Sequence, residues 1–156
     1  MIIREFRPKD LKRVNEIEKM SFSNPYEIEM LKQLFDIGAG FLIAQINDYI
    51  VGYIIFWIKE EYQGHIISLA VDTNYKRQNI GSRLVKVAID IFKNFNIKRI
   101  NLEVKTQNKE AICFYKSIGF KCGEKILNYY ENGDNAFKCH LTVFNKSKYN
   151  NESCTH

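Results

Sequence analysis

Between Tyr75 and Leu84 the chain reads YKRQNIGSRL, with Lys76, Arg77 and Arg83 gathered around a single glycine, Gly81, ahead of an apolar pattern at helical spacing. A strand that passes through a short turn into a helix delivers free backbone N–H groups and the positive end of the helix dipole to one point. Such a point favours an anion. Gly81 offers no side chain to obstruct a phosphate, and the neighbouring cations add charge around it. On local features alone the stretch reads either as a phosphate cradle or as a charged loop with a helix behind it. It matches neither GxxxxGK[ST] nor GxGxxG, which argues against a nucleoside triphosphatase and a Rossmann dehydrogenase.

Other residue types with chemical potential lie downstream. Glu103 falls on a strand pattern, Asn108 stands where it would cap a helix, and Tyr115 shares a helical face with Ala111 and Ile118. Taken singly, these read as a surface or ion-paired carboxylate, a cap and a core aromatic. His65 and His140 lie in strand patterns and read as structural, with auxiliary bases as the alternative. No His and Cys spacing resembles a zinc site, and no metal is expected. The cysteines at 113, 122, 139 and 154 include no CxxC pair, so they read as free thiols in a reducing compartment, with Cys113 and Cys139 as packing residues.

The elements that must position these residues follow from hydrophobic periodicity. Met1–Phe6 reads as a strand, and Pro8 suits the first turn of a helix carrying Leu11, Val14, Ile17 and Met20. The break SFSNPY precedes a second helix with Ile28, Leu31, Leu34 and Phe35. Phe41–Ile46 and Tyr49–Lys59 form a hairpin about Asn47 and Asp48, the second strand apolar on both faces and therefore central. His65–Val71 is a strand, followed by the YKRQNIGSRL turn and a helix whose Leu84, Ala88, Ile91 and Phe95 mark one face. Then come a strand at Arg99–Val104, a helix at Lys109–Ile118 closed by Gly119, and two strands about Asn132, Gly133 and Asp134. The order β-α-α-β-β-β-α-β-α-β-β implies an α/β (α+β) chain with a mixed sheet and helices on both faces.

The 156 residues, 46% of them hydrophobic, suit one domain, expected over residues 1–146, with a flexible polar tail at 147–156. The charge of +5, from 23 basic and 18 acidic residues, is scattered, and no basic stripe suggests specific nucleic-acid binding. No run reaches the ~18 apolar residues of a membrane helix, nor does the start look like a signal peptide, so a soluble cytoplasmic protein is expected.

LAVDTNYKRQNIGSRL, residues 69–84, resembles motif A of the GNAT acetyltransferases: Arg or Gln, two residues, Gly, one residue, then Gly or Ala. Lys76 stands at the first position, Asn79 at the first Gly and Gly81 at the second. Asn is the non-glycine residue best able to take a left-handed conformation, and Lys76 keeps the charge without the planar fork. LEVKTQNKEAICFYKSIGF, residues 102–120, resembles motif B, particularly of the RimI-like branch, with Glu103, Asn108, Ala111, Phe114, Tyr115, Gly119 and Phe120 in register. GHIISLAV and YYENGDNA further resemble the archaeal Ard-type branch of N-terminal acetyltransferases. The resemblance spans nearly the whole chain and implies the GNAT fold, with about seven strands.

The same resemblance implies acetyl-CoA as co-substrate. Its pyrophosphate would meet Arg77, Gln78, Asn79, Ile80, Gly81 and Ser82, its pantetheine arm the backbone of Leu69, Ala70 and Val71, and Asn108 and Tyr115 would also contact it. Glu103 becomes the general base and Tyr115 the general acid. An α-amine of pKa ~8 benefits from a base at neutral pH, and a phenol of ~10 can supply a proton to a thiolate of ~8.5. The implied acceptor is a protein N-terminus, ribosomal or nascent, entering between FSNPY and NYYENG, where Phe22, Tyr26 and Tyr130 would bind it. Glu27 and Glu29 read as partners of a helix dipole, with attraction of the amine as the alternative. A lysine or small-amine acceptor and a regulatory acyl-CoA-binding subunit are the alternatives, and a partner subunit or homodimer stays open.

Overall fold

In the computed structural model residues 1–59 and 62–143 are described; the tail expected at 147–156 lies outside them. Strand β1 (Ile2–Glu5) leads through a helical turn at Pro8–Asp10 into α1 (Leu11–Ser21) and α2 (Ile28–Asp36). Strands β2 (Gly40–Ile46), β3 (Tyr49–Lys59) and β4 (Gln63–Val71) follow, then a turn at Thr73–Tyr75 and α3 (Ile80–Asn94). The chain ends its described course with β5 (Arg99–Lys105), α4 (Lys109–Ile118), β6 (Lys121–Ile126) and β7 (Ala136–Thr142). The seven strands form a mixed sheet in the order β1-β2-β3-β4-β5-β7-β6.

The chain groups into two compact units, one of Met1–Trp57 with His65–Ala88, the other of Ile58–Gly64 with the residues from Ile89 onward. In the first, Val14 and Ile17 recur three apart on α1 and are fully buried, while Lys12, Glu16 and Lys19 on the other side are exposed. They pack with Leu31, Phe41, Ile43, Tyr53 and Ile55, and Phe6 stacks on Phe41 with ring centres 4.1 Å apart. Val51 through Phe56 are all buried, as a strand apolar on both faces requires. The hairpin between β2 and β3 turns at Asn47, whose φ of 53° is one that Asn tolerates.

In the second unit β5 alternates strictly. Ile100, Leu102 and Val104 are buried, and Asn101, Glu103 and Lys105 occupy the opposite face. Strand β7 pairs antiparallel with both β5 and β6, so that Glu103 lies opposite Lys138 and Cys122 opposite Cys139.

Three expectations are corrected here. Cys122 and Cys139 form a disulfide rather than free thiols, because β6 and β7 set them directly across from each other with Cα atoms 4.1 Å apart. Cys113, expected to pack, is an exposed free thiol on α4. Phe95 and Met20 are exposed, not core: α3 stops at Asn94, and Met20 follows the last buried turn of α1.

Candidate active site

The phosphate-like turn begins with Asp72. Its N–H donates to Val51 O at 2.8 Å, and its carboxylate accepts the Asn74 N–H at 2.9 Å and pairs with the Arg13 guanidinium. Burial pushes the Asp72 carboxyl up, but the Asn74 N–H and Arg13 outweigh it and hold the group below the usual carboxylate range. Tyr75 N–H closes the turn on Asp72 O at 2.9 Å. The chain then straightens at Lys76 and turns left-handed twice, at Arg77 (φ 65°) and Asn79 (φ 60°). Alternation of this kind aims successive N–H groups into one concavity, a nest for an anion. Asn79 O accepts the Arg83 N–H at 3.1 Å, the first helical bond of α3, so the N–H groups of Ile80, Gly81 and Ser82 belong to the first turn, where no helix carbonyl can accept them.

Arg77, Gln78 and Asn79 are exposed around this nest and Ile80 is buried beneath it. Leu69, Ala70 and Val71, at the end of β4, alternate half-buried, buried and half-buried. A residue that sequence reasoning missed makes the packing here possible. At Gly52 on β3, an added Cβ would lie 3.1 Å from Ala70 O, 3.3 Å from Ile80 and 3.4 Å from Leu84. An isolated glycine inside an apolar strand pattern is the signal that marked it.

The α1–α2 loop of the same unit carries Phe22, half-buried against the core, and Tyr26, which is exposed. Asn15, buried on α1, donates through Nδ2 to Tyr26 O at 3.2 Å. Glu27 takes the N-cap position of α2 and Glu29 its first turn, so both serve the dipole.

In the second unit Asn108 caps α4, its Oδ1 accepting the Ala111 N–H at 3.1 Å, and Gly119, left-handed at φ 119°, ends the helix with Phe120 N–H on Tyr115 O. These two ends fix Tyr115, which is buried edge-on between Phe114 and Phe120 at 5.1 and 5.4 Å. Burial, and secondarily the nearby Tyr130 phenol, push its pKa well above the ordinary value. Tyr115 is therefore a neutral phenol, harder to ionise than the free side chain, and both a core aromatic and a neighbour of Tyr130.

Tyr130 is itself held. Lys105 Nζ lies 5.0 Å from its ring centre and pairs with Asp134 at 3.3 Å, while Tyr129 packs perpendicular to it at 5.0 Å. No sequence signal linked Lys105 to the hairpin, since the partners are brought together only by the β5–β7 register. Glu103 is half-buried two residues before Lys105 on the same face. His140, across from Asn101 and Lys121, is kept below its ordinary pKa by desolvation and by Arg99 and Lys121, and His65 is half-buried in β4. Among the described residues no cluster of three His, Cys, Asp or Glu is fit to hold a metal.

Residues 11–120 match the acetyltransferase (GNAT) family, and the chain belongs to it: it is an acetyl-CoA-dependent acetyltransferase. It is 36% identical over 138 residues to an uncharacterized N-acetyltransferase of Methanocaldococcus jannaschii, covering 87% of this chain and 88% of that one. An N-alpha-acetyltransferase of Sulfurisphaera tokodaii is 28% identical over 148 residues, covering 86% and 89%. Among solved structures, Ard1 from Thermoplasma volcanium superposes with a TM-score of 0.88 at 30% identity, over 92% of this chain and 98% of that one.

Proposed function

We propose that this acetyltransferase acts on the N-terminal α-amine of proteins, on ribosomal or nascent chains in the cytoplasm. The observation that carries the reading is similarity to N-alpha-acetyltransferases over most of the chain. The last hairpin, the segment suited to hold an extended peptide, sets Tyr130 close enough to the buried Tyr115 phenol to affect its ionisation.

The residues present fit the co-substrate. The nest at Arg77–Asn79 and the first-turn amides of α3 suit a pyrophosphate, with Gly81 leaving the approach open. The backbone of Leu69, Ala70 and Val71 suits a strand-like pantetheine arm, and Asn108 is proposed as a further coenzyme contact. Acetyl-CoA supplies the thioester carbonyl and a thiolate leaving group. Glu103 takes the proton of the attacking amine, directly or through a water, as the C–N bond forms, and Tyr115 gives its proton to sulfur as the C–S bond breaks. A β4 amide stabilises the oxygen on which negative charge develops. Phe22, Tyr26 and Tyr130 orient the peptide.

The test is a panel of peptides differing in their first two residues, incubated with acetyl-CoA and mapped by mass spectrometry. Acetylation of the α-amine is the expected result. Products on lysine or on small amines, or coenzyme binding without any product, would contradict it.

A further inference from the structure

The first unit contains a buried carboxylate for which the transfer chemistry has no use. Glu18 on α1 is 1% exposed. Its Oε1 accepts the Tyr53 hydroxyl from β3 at 3.0 Å and the Ser68 hydroxyl from β4 at 2.9 Å, and those two hydroxyls are 3.2 Å apart. A further bond to the carboxylate comes from the backbone N–H of Tyr26, in the loop between α1 and α2. Burying a carboxylate is costly unless donors surround it, and an apolar side chain of similar size would satisfy a core at lower cost. Here the donors come from three separate segments. Burial raises the carboxyl's pKa, with the hydrogen bonds from Ser68, Tyr53 and Tyr26 opposing the rise.

The second half of the arrangement is Asn15, one helical turn before Glu18 and on the same face of α1. Its amide holds Tyr26 O, so both backbone polar groups of Tyr26 are held by α1 side chains. Ser68 immediately precedes Leu69–Val71. One carboxylate thus spans from the acceptor loop to the strand that faces the coenzyme.

We propose that Glu18 is a positioning residue for the acceptor: it fixes the Tyr26 loop against β4, so that the incoming peptide meets the coenzyme strand at a set distance. This rests on the N-terminal acceptor proposed above. Positioning matters because displacement of a reacting group by about an ångström costs on the order of a hundredfold in rate. Glu18 is 1% exposed and acts through the Tyr26 loop, so the proposal puts its effect on acceptor binding rather than on coenzyme binding.

The test compares E18Q and N15A with the wild type, using Y53F as a control that removes one donor and leaves Tyr26 held. Three quantities are measured: amide hydrogen exchange over residues 22–28, KM for an acetylated peptide substrate's unmodified form, and the acetyl-CoA Kd. E18Q is expected to speed exchange at the Tyr26 amide and raise peptide KM about tenfold, the effect of losing a charge-assisted hydrogen bond, with Kd within about twofold. N15A, which leaves the carboxylate's own bonds in place, shifts KM in the same direction even where E18Q folds poorly, and Y53F leaves KM unchanged. A lower melting temperature with Tyr26 exchange and peptide KM unchanged would overturn the proposal. A wild type that acetylates no N-terminus contradicts the acceptor reading instead, while the exchange data still decide whether Glu18 holds the loop.

Discussion

Arg77 and Asn79, separated by one residue, share a left-handed backbone, with φ of 65° and 60°. The second of these stands where the family signature has its first glycine, and Asn pays little for that conformation. Asn79→Gly should therefore keep or tighten acetyl-CoA binding. Asn79→Val forces a β-branched side chain into the same turn at a cost of about 1–2 kcal/mol, and titration calorimetry should show binding weakened by about 5- to 30-fold. Unchanged affinity in the valine variant would mean that the amides of this turn do not hold the coenzyme.

Gly52 lies under the same nest. A methyl group there would press on Ala70 O at 3.1 Å, a backbone atom of the coenzyme strand, and on Ile80 and Leu84 of α3. Gly52→Ala should destabilise the protein by about 1–3 kcal/mol in urea unfolding, as overpacking does. It should also raise the acetyl-CoA Kd, because relief requires β4 or the start of α3 to shift.

Tyr115 gives the pH dependence. Its phenol ionises only well above the usual tyrosine value, so the acid form persists throughout the range in which an α-amine of pKa ~8 loses its proton. The rate should rise toward a plateau near pH ~8–9 and show no decline from tyrosine ionisation up to about pH 10. Tyr115→Phe should lower kcat about 100-fold. The sign for stability follows from the raised folded-state value. The contribution is complete below the unfolded-chain pKa of ~10 and is lost as pH rises from there through the folded value.

The Cys122–Cys139 bond closes a loop with a sequence separation of 17, which includes the hairpin bearing Tyr130. Loop-closure entropy for that length is worth about 3 kcal/mol. Reduction with dithiothreitol, or Cys122→Ser, should lower unfolding stability by about 2–4 kcal/mol in a denaturant titration. The hairpin residues 127–135 should show the largest gain in amide exchange.

The sequence made the elements legible where the information is local. Alternation along β5, the three-residue spacing of Val14 and Ile17, Asn108 as a cap and Gly119 as a helix end each depend on neighbours within a turn or two. The tolerance of Asn79 for a left-handed turn was readable from its side chain, whereas the same conformation at Arg77 was not. Phe95 continued the apolar spacing of α3 but lies in the turn after it, where Asn96 is left-handed at φ 58°. What escaped the sequence depends on register. Cys122 meets Cys139, and Lys105 meets Asp134 and Tyr130, only because β7 is inserted between β5 and β6. The bonds of Glu18 to Tyr53 and Ser68 span 35 and 50 residues, and no pattern in the chain predicts a buried carboxylate shared at that range.

The most direct test of the account is the position of the acetyl group on a peptide that carries both a free N-terminus and an internal lysine. With acetyl-CoA and the wild-type protein, tandem mass spectrometry should place the modification on the α-amine, and the Glu103→Gln, Tyr115→Phe double variant should make at least 100-fold less of it. Acetylation of the lysine in preference to the N-terminus, or full turnover by the double variant, would contradict it.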